Sequence, residues 1–226
     1  SAVRRLAGCA TREWDYLHHA IVTSVRCSKP HQQTAWQRFT DDGPLAFLPL
    51  AKVDDAEHWC SIVWSTTPAE AERLMALDDA AFCHELGKAF EWRLGDVLES
   101  DPRHCIPLRQ RHAKRYVEPG LALIGDAAHT IHPLAGQGVN LGFGAVIEFA
   151  TLSRKEKDPG HYQLLTQYAH NRLEPVRTMQ MSCNGLFLLF GEQTLPALPW
   201  LRNTGLNLVN AAPMLKHQLI KHAMGL

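Results

Sequence analysis

The residues best suited to hold a ligand lie in one short stretch between Gly120 and Gly142. The apolar run at residues 121–124 is followed at once by Gly125 and Asp126. This pattern predicts a fully buried strand of an α/β layer that ends in a carboxylate. Ligands of open α/β sheets bind beyond the carboxyl ends of the strands. A carboxylate at that position can accept hydrogen bonds from the hydroxyl groups of a polyol.

The loop after Asp126 contains residues that let the backbone approach a ligand closely. Pro133 stiffens the loop, while Gly136 and Gly138 carry no side chain that would keep a ligand away. The pattern predicts a helix that begins at about residues 138–140, so its positive N-terminal end points toward the same space. We expect Gly138 to be the least replaceable residue of the loop, because of both space and backbone conformation. The stretch suits an electron-accepting or anionic ring attached to a polyol chain.

Other interpretations of this stretch stay open. Asp126 can be a residue that only caps the following helix. His129 and His132 are three residues apart and can form part of a metal site, but the sequence places no third ligand, and we expect no metal. The two imidazoles can also pack the loop, line a pocket or transfer protons.

The residues before about position 110 predict a mainly antiparallel sheet with a helix pair on one side. Strands are predicted at residues 20–25, 34–39, 45–50, 59–64 and 104–108, and helices from Pro68 and over residues 78–90. The remaining residues predict one last strand and a helical region divided by Pro175, Pro196, Pro199 and Pro213. The sequence therefore predicts an α/β protein with a substrate domain at 1–110 and part of a cofactor domain at 111–226.

The stretch from Gly120 to Gly142 resembles the second flavin-binding motif of flavin hydroxylases built like p-hydroxybenzoate hydroxylase. Within that group, the segment from His132 to Gly142 is similar to the signature of the ubiquinone-biosynthesis hydroxylases. The resemblance implies that Asp126 binds the ribityl chain of FAD and that the backbone of residues 136–140 lies against the pyrimidine edge of the flavin. The cofactor-binding residues that it implies are Gly125, Asp126, Pro133, Gly136, Gln137, Gly138, Val139, Asn140 and Arg4.

The same resemblance implies a reaction. NAD(P)H reduces FAD, and one oxygen atom of O2 is transferred to the aromatic ring of a polyprenylated phenol during ubiquinone biosynthesis. The flavin performs this chemistry, so no side chain is assigned as catalytic. Trp36, Phe47 and Trp64 are candidates for the wall of the substrate pocket, although an aromatic residue at such a position more often belongs to the core of the sheet. Alternatives on the same fold are a flavin reductase or halogenase, and a non-catalytic scaffold subunit of a biosynthetic assembly.

The chain departs from the family pattern in two places. Ala145 stands where the family has an aspartate, and no Gly-x-Gly-x-x-Gly finger is present. Residues 1–4 match only the end of the family's Asp-Gly-x-x-Ser-x-x-Arg motif. We therefore expect the segment that holds the pyrophosphate and adenosine of FAD to lie upstream, and we expect the chain alone to be inactive.

Composition narrows the possible partners. The 23 basic and 23 acidic residues balance, which argues against nucleic acid. The six cysteines form no CxxC pair and predict reduced thiols in the cytoplasm. Residues 195–226 mix apolar and basic residues. This segment predicts helices that pack on the flavin domain, contact another subunit, or touch the inner membrane from its surface. Other ubiquinone-biosynthesis proteins are further candidate partners.

Overall fold

The computed structural model describes residues 2–51, 56–131, 136–154, 156–190 and 197–223. In this part of the chain, seven strands form one sheet whose neighbouring strands are all antiparallel. The strands are β1 (Thr11–Cys27), β2 (Trp36–Thr40), β3 (Gly43–Pro49), β4 (Trp59–Thr66), β5 (Val97–Ser100), β6 (His104–Ala113) and β9 (His129–Thr130). Their order is β2-β3-β4-β1-β6-β9, and β5 pairs with the end of β1. The α/β class with a mainly antiparallel sheet is confirmed, and each of the five strands predicted before residue 110 overlaps an observed one.

Two helices cover one face of the sheet, which we call the covered face. Helix α2 (Pro68–Ala76) begins after Thr67 and α3 (Asp79–Ala89) begins after Asp78. The side chain of each capping residue accepts a hydrogen bond from a backbone N–H of the first turn, which favours a helix start. Apolar residues of the sheet and of both helices form the core between them. They include Ile21, Val25, Leu45, Phe47, Ile62, Trp64, Leu74, Phe82 and Leu86.

The opposite side of the sheet, which we call the open face, carries small uncharged residues at its centre. Ala46, Val63 and Val22 stand side by side, because Ala46 pairs with Val63 and Val63 pairs with Val22. Leu48 and Ser61 form the next row. Leu48 is exposed and the other four are half-buried. This face therefore remains accessible while the covered face is filled.

The predicted buried strand at residues 121–124 is wrong for the structure of this chain. Strand β8 (Leu121–Ala122) has only two residues, both half-buried, and it pairs only with β7 (Val117–Glu118). A fully buried strand needs hydrogen-bonded neighbours and cover on both faces. Among the described residues, β8 has a hydrogen-bonded neighbour on one side only, and its two residues are half-buried, so the apolar run begins as a short hairpin arm.

The remaining helices are α1 (Ala2–Leu6), α4 (Gly138–Ser153), α5 (Tyr162–Phe190), α6 (Ala197–Ala211) and α7 (Pro213–Ala223). The prediction that Pro175 divides the helical region is wrong, since α5 continues through it. Buried side chains on both sides of the proline, including Tyr168 and Cys183, hold the two halves against the rest of the molecule. Pro213 does begin a helix, Pro199 lies in the first turn of α6, and Pro196 lies outside the described residues.

Three further observations concern the chain as a whole. The predicted domain boundary at residue 110 falls within β6, so the division into two domains stays a prediction. No helix in the described ranges is long and apolar enough to cross a membrane. All six cysteines are free thiols, and four of them are buried.

Candidate functional site

The carboxylate singled out by the sequence lies in a tight turn at the edge of the sheet. Residues Gly125–Ala127 form one turn of 3-10 helix after β8, and Asp126 in its middle is exposed. Gly125 has a φ of +57°, a conformation that a side chain would strain. The next strand, β9, pairs with β6. This pairing fixes the turn beside the seven-stranded sheet.

The turn packs against the beginning of α4. Gly125 and Gly142 approach so closely that a Cβ atom placed on either residue would lie 3.7 or 3.6 Å from the Cα atom of the other. Helix α4 begins at Gly138, and in its first turn the Asn140 side-chain amide donates a hydrogen bond to the Gln137 side chain, at 3.0 Å. The N–H groups in the first turn of a helix have no acceptor within the helix, which gives the helix start a positive partial charge. An exposed carboxylate and a helix N-terminus thus belong to one rigid local unit.

Three side chains from distant parts of the chain hold the backbone of this unit. Arg4 donates from Nη1 to the carbonyl of Ala127 at 3.2 Å, and the Arg4 side chain is buried. On α5, the Tyr168 hydroxyl donates to the carbonyl of Leu123 at 3.0 Å. These bonds fix both ends of the segment that carries Asp126.

The third anchor, Arg172 of α5, donates from Nη2 to the carbonyl of Leu141 at 3.3 Å and thereby holds α4. Sequence analysis named Arg4 but missed Tyr168 and Arg172. Both lie outside the motif, 45 and 31 positions from the carbonyls they bind, so no local signal marks them.

His129 is a buried neutral side chain and not an exposed ligand. Its exposed fraction is 3%, and its Nδ1 lies 3.4 Å from the Tyr116 hydroxyl. Burial lowers the pKa of His129 to about 4, and the nearby His112 and Arg172 act in the same direction. Burial also raises the pKa of Tyr116. No cluster of three metal-binding side chains occurs among the residues that the structure describes, and His132 lies outside them.

The glycines of the loop differ from the expectation. Gly125 and Gly136 have positive φ angles, +57° and +62°, whereas the φ angle of Gly138 is not positive. A Cβ atom on Gly138 would meet no other atom within 4 Å. The expected backbone constraint at Gly138 is therefore wrong, and only a bound ligand could make that position irreplaceable. Pro133 lies outside the described residues.

The other candidate cofactor-binding residues differ in how exposed their side chains are. Val139 and Asn140 are exposed at the start of α4, and Gln137 is half-buried. Ala145, where the family pattern has an aspartate, is buried with an exposed fraction of 1%. Ala145, where the chain departs from the family pattern, therefore lies on the packed side of α4, away from the exposed residues of its first turn.

Trp36, Phe47 and Trp64, the candidates for a substrate pocket, lie on or against the covered face. Phe47 and Trp64 belong to the core, and Trp36 packs against it. Phe47 stacks on Phe90 with the ring centroids 4.1 Å apart. The structure brings none of the three to the open face.

The fold built from this sheet and its helices is shared with solved structures of a hydroxylase and a monooxygenase. The model of the FAD-binding domain family matches residues 1–182. The chain belongs to this family, which identifies FAD as its cofactor.

The chain is also similar to proteins that are named as a hydroxylase and a monooxygenase. The chain is 40% identical to the 3-demethoxyubiquinol 3-hydroxylase of Escherichia coli, over 100% of the chain and 57% of that protein. It is 33% identical to a mitochondrial ubiquinone biosynthesis monooxygenase of Danio rerio, over 99% of the chain and 53% of the relative. The chain thus spans little more than half the length of these relatives.

Solved structures share the fold. The p-nitrophenol 4-monooxygenase of Pseudomonas putida superposes with a TM-score of 0.74, over 97% of the chain and 55% of that structure, at 16% identity. The anhydrotetracycline hydroxylase of Streptomyces rimosus gives a TM-score of 0.66 over 100% of the chain and 44% of that structure, at 20% identity.

Proposed function

We propose that this chain is part of an FAD- and NAD(P)H-dependent monooxygenase that hydroxylates the aromatic ring of a polyprenylated phenol in ubiquinone biosynthesis. The observation that carries the proposal is the rigid unit of the Asp126 turn and the start of α4, placed at the edge of an antiparallel sheet. The names of the relatives support the substrate class, since both act in ubiquinone biosynthesis or on a ubiquinol.

The residues of this unit fit an isoalloxazine with a ribityl chain. Asp126 is exposed and can accept hydrogen bonds from ribityl hydroxyl groups. The N-terminus of α4 offers backbone N–H groups and a positive partial charge to the electron-rich edge of a reduced ring. At Gly136 and Gly138 no described atom beyond the neighbouring backbone lies within 4 Å of a would-be Cβ, which leaves room for a flat ligand against the backbone. When bound, FAD supplies the activation of O2 and the transfer of oxygen.

The open face of the sheet is the best candidate for the place where the phenol ring binds. Its central residues Val22, Ala46 and Val63 carry neither charge nor hydrogen-bonding side chains. An apolar wall of this kind excludes water from a reactive flavin and leaves the ring free of competing polar contacts. The covered face is filled by α2 and α3 and offers no such space.

Helices α6 and α7 support a peripheral contact with the surface of a membrane. Residues 197–223 contain no acidic residue, while Arg202, Lys216 and Lys221 are basic. Trp200 and Met214 are among the most exposed apolar residues, at 69% and 84%. Basic helices with exposed apolar side chains bind anionic lipid surfaces. A homo-oligomer or another ubiquinone-biosynthesis protein is the alternative partner for this surface, and the cytoplasmic location stays a prediction.

The proposal is tested by isotope labelling of the complete polypeptide that contains this chain. The protein is supplied with FAD, NAD(P)H, ¹⁸O2 and a prenylated phenol, and the product is analysed by mass spectrometry. One ¹⁸O atom in the ring hydroxyl supports a hydroxylase. A product without ¹⁸O indicates a reductase or halogenase, and failure to bind FAD indicates a scaffold.

A further inference from the structure

A cavity lies on the open-face side of the sheet, between a bend in β1, the β2–β3 hairpin and the end of α5. Its volume is about 420 Å³. Apolar side chains form much of its wall, namely Leu17, Phe39, Pro44, Phe187, Leu188 and Phe190. Ligand pockets of proteins have volumes of roughly 300–1,000 Å³, so this cavity is large enough for a small molecule.

Aromatic contacts fix the wall of the cavity. Phe39 of β2 stacks on Phe190 with the ring centroids 3.9 Å apart, and Tyr16 packs against Phe187 at 5.2 Å. His18 also lines the cavity, but both of its ring nitrogens lie within hydrogen-bonding distance of backbone carbonyls, those of Tyr16 and Asp42. The imidazole therefore has no nitrogen left for a polar ligand. The remaining polar residues of the wall are Asp41, Asp42 and Thr67.

The cavity is continuous with the open face through one side chain. Phe187 lines the cavity and also packs against a cluster built from Tyr16, Ala20 and Leu108. Val22 and Val63, at the centre of the open face, pack against the same cluster. Apolar side chains therefore connect the centre of the open face with the wall of the cavity.

A strained bend in β1 shapes the entrance. Leu17 has a φ of +53°, and the register of β1 against β6 shifts between Asp15 and His19. A side chain disfavours this left-handed conformation. The Leu17 N–H donates to the Asp15 carboxylate at 2.8 Å, which helps to hold the bend. The bend leaves Leu17 72% exposed, and Leu188 on the opposite wall is 73% exposed.

We propose that this cavity binds the first isoprenoid units of the tail of the substrate. The inference rests on the proposed function, which supplies a substrate with a ring and a prenyl tail. An apolar cavity of about 150 Å³ is enough to hold one benzene molecule. The present volume therefore accommodates about three such six-carbon groups, or roughly three isoprene units. Leu17 and Leu188 are the apolar residues at the mouth through which the rest of the tail leaves.

The test compares a phenol that carries three isoprene units with the same phenol without a tail, using the complete polypeptide. The variants are Leu17→Gln and Leu188→Gln, and the control is Leu98→Gln, an exposed leucine of β5 outside the cavity. Loss of one buried leucine contact corresponds to about a tenfold or greater loss of affinity. We expect kcat/KM for the tailed phenol to fall about tenfold in each cavity variant and kcat/KM for the tailless phenol to stay unchanged. Equal effects on both phenols, or none, overturn the inference and leave the proposed function standing.

A second measurement does not depend on activity. Farnesol that carries a photoreactive diazirine is cross-linked to the complete polypeptide, and the labelled residues are identified by mass spectrometry. Label at residues 16–18 or 187–190, competed by unmodified farnesol, supports the inference. Label elsewhere, or no competable label, overturns it even if the protein hydroxylates no phenol.

Discussion

Arg172 and Leu141 are joined by a hydrogen bond from the guanidinium Nη2 to the backbone carbonyl, 3.3 Å long, that ties α5 to the first turns of α4. The glycine at position 144 leaves room for this guanidinium. A Cβ atom there would lie 3.1 Å from the same Nη2 atom. A single small residue thus allows α5 to hold the helix whose N-terminus faces the proposed flavin.

Gly144→Val should displace Arg172 and loosen α4. Because the added atoms overpack a fixed contact, we expect the free energy of unfolding of the complete polypeptide to fall by about 1–3 kcal/mol. The control is Gly185→Val on α5, where a Cβ atom would meet nothing within 4 Å. Urea unfolding measures both variants. Equal stability of the two variants would show that the Arg172 contact does not constrain α4.

Gly136→Ala and Gly138→Ala should differ in their effect on the stability of the folded protein. Gly136 has a φ of +62°, so alanine there should destabilise the folded protein by about 1 kcal/mol. Gly138 is the first residue of α4, and no described atom beyond the neighbouring backbone would meet a Cβ there, so alanine should leave the apoprotein as stable as the parent or slightly more stable. If the start of α4 lies against the flavin, Gly138→Ala should nevertheless bind FAD more weakly. A Gly138→Ala variant that binds FAD as tightly as the parent would show that the start of α4 does not contact the flavin.

The stability of the protein should rise with pH between about 4 and 6.5 because of His129. The folded state holds its pKa at about 4, below the ordinary value of 6.5. Within this window the unfolded chain binds a proton that the folded chain does not. The contribution is therefore complete above pH 6.5, is lost as the pH falls toward 4, and amounts to at most about 3 kcal/mol.

Urea unfolding at several pH values across this window checks the effect. His129→Gln should show a smaller dependence on pH than the parent, whereas His217→Gln, at an exposed position of α7, should not. An identical pH dependence in the parent and His129→Gln would contradict the assignment of a buried neutral imidazole.

Lys216→Glu combined with Lys221→Glu should weaken binding to vesicles that contain anionic lipid. Each lysine near such a surface contributes about 1 kcal/mol, so reversal of two charges should lower the partition coefficient by more than tenfold. Lys29→Glu combined with Lys88→Glu makes the same change in net charge away from α6 and α7. Vesicle flotation compares the two double variants. An equal loss of vesicle binding in both double variants would show that only the net charge matters. Self-association of the parent through α6 and α7 would instead identify a second copy of the chain as the partner.

The sequence was sufficient to predict local features and insufficient to predict which distant residues meet. The alternation of apolar residues predicted the strands, and the Gly125-Asp126 pair with its following glycines marked the turn and the start of α4. Phe47 and Trp64 were ambiguous, because alternation assigns residues to two faces without saying which face the helices cover. Only the packing of α2 and α3 places both residues in the core.

Tyr168 and Pro175, both on α5, show again that local sequence patterns do not reveal contacts between distant residues. The hydroxyl of Tyr168 holds a carbonyl 45 positions away, and such a contact leaves no trace in local spacing. Pro175 costs the helix one backbone hydrogen bond, which local rules interpret as a break. Burial of Val176 beside it and Cys183 two turns later offsets that cost through tertiary packing, which a linear pattern cannot represent.

The most direct test of the account is the affinity of Asp126→Ala for FAD, measured by fluorescence titration of the complete polypeptide. Hydrogen bonds to a charged group contribute about 1.5–3 kcal/mol, so the account predicts a dissociation constant about ten to a hundred times that of the parent. Asp158→Ala is the matched control, because Asp158 is an exposed carboxylate outside the candidate site that accepts a hydrogen bond from the nearby Gly160 N–H, at 2.8 Å. It should leave the affinity unchanged. An Asp126→Ala variant that folds and binds FAD as tightly as the parent would contradict the placement of the flavin at this turn.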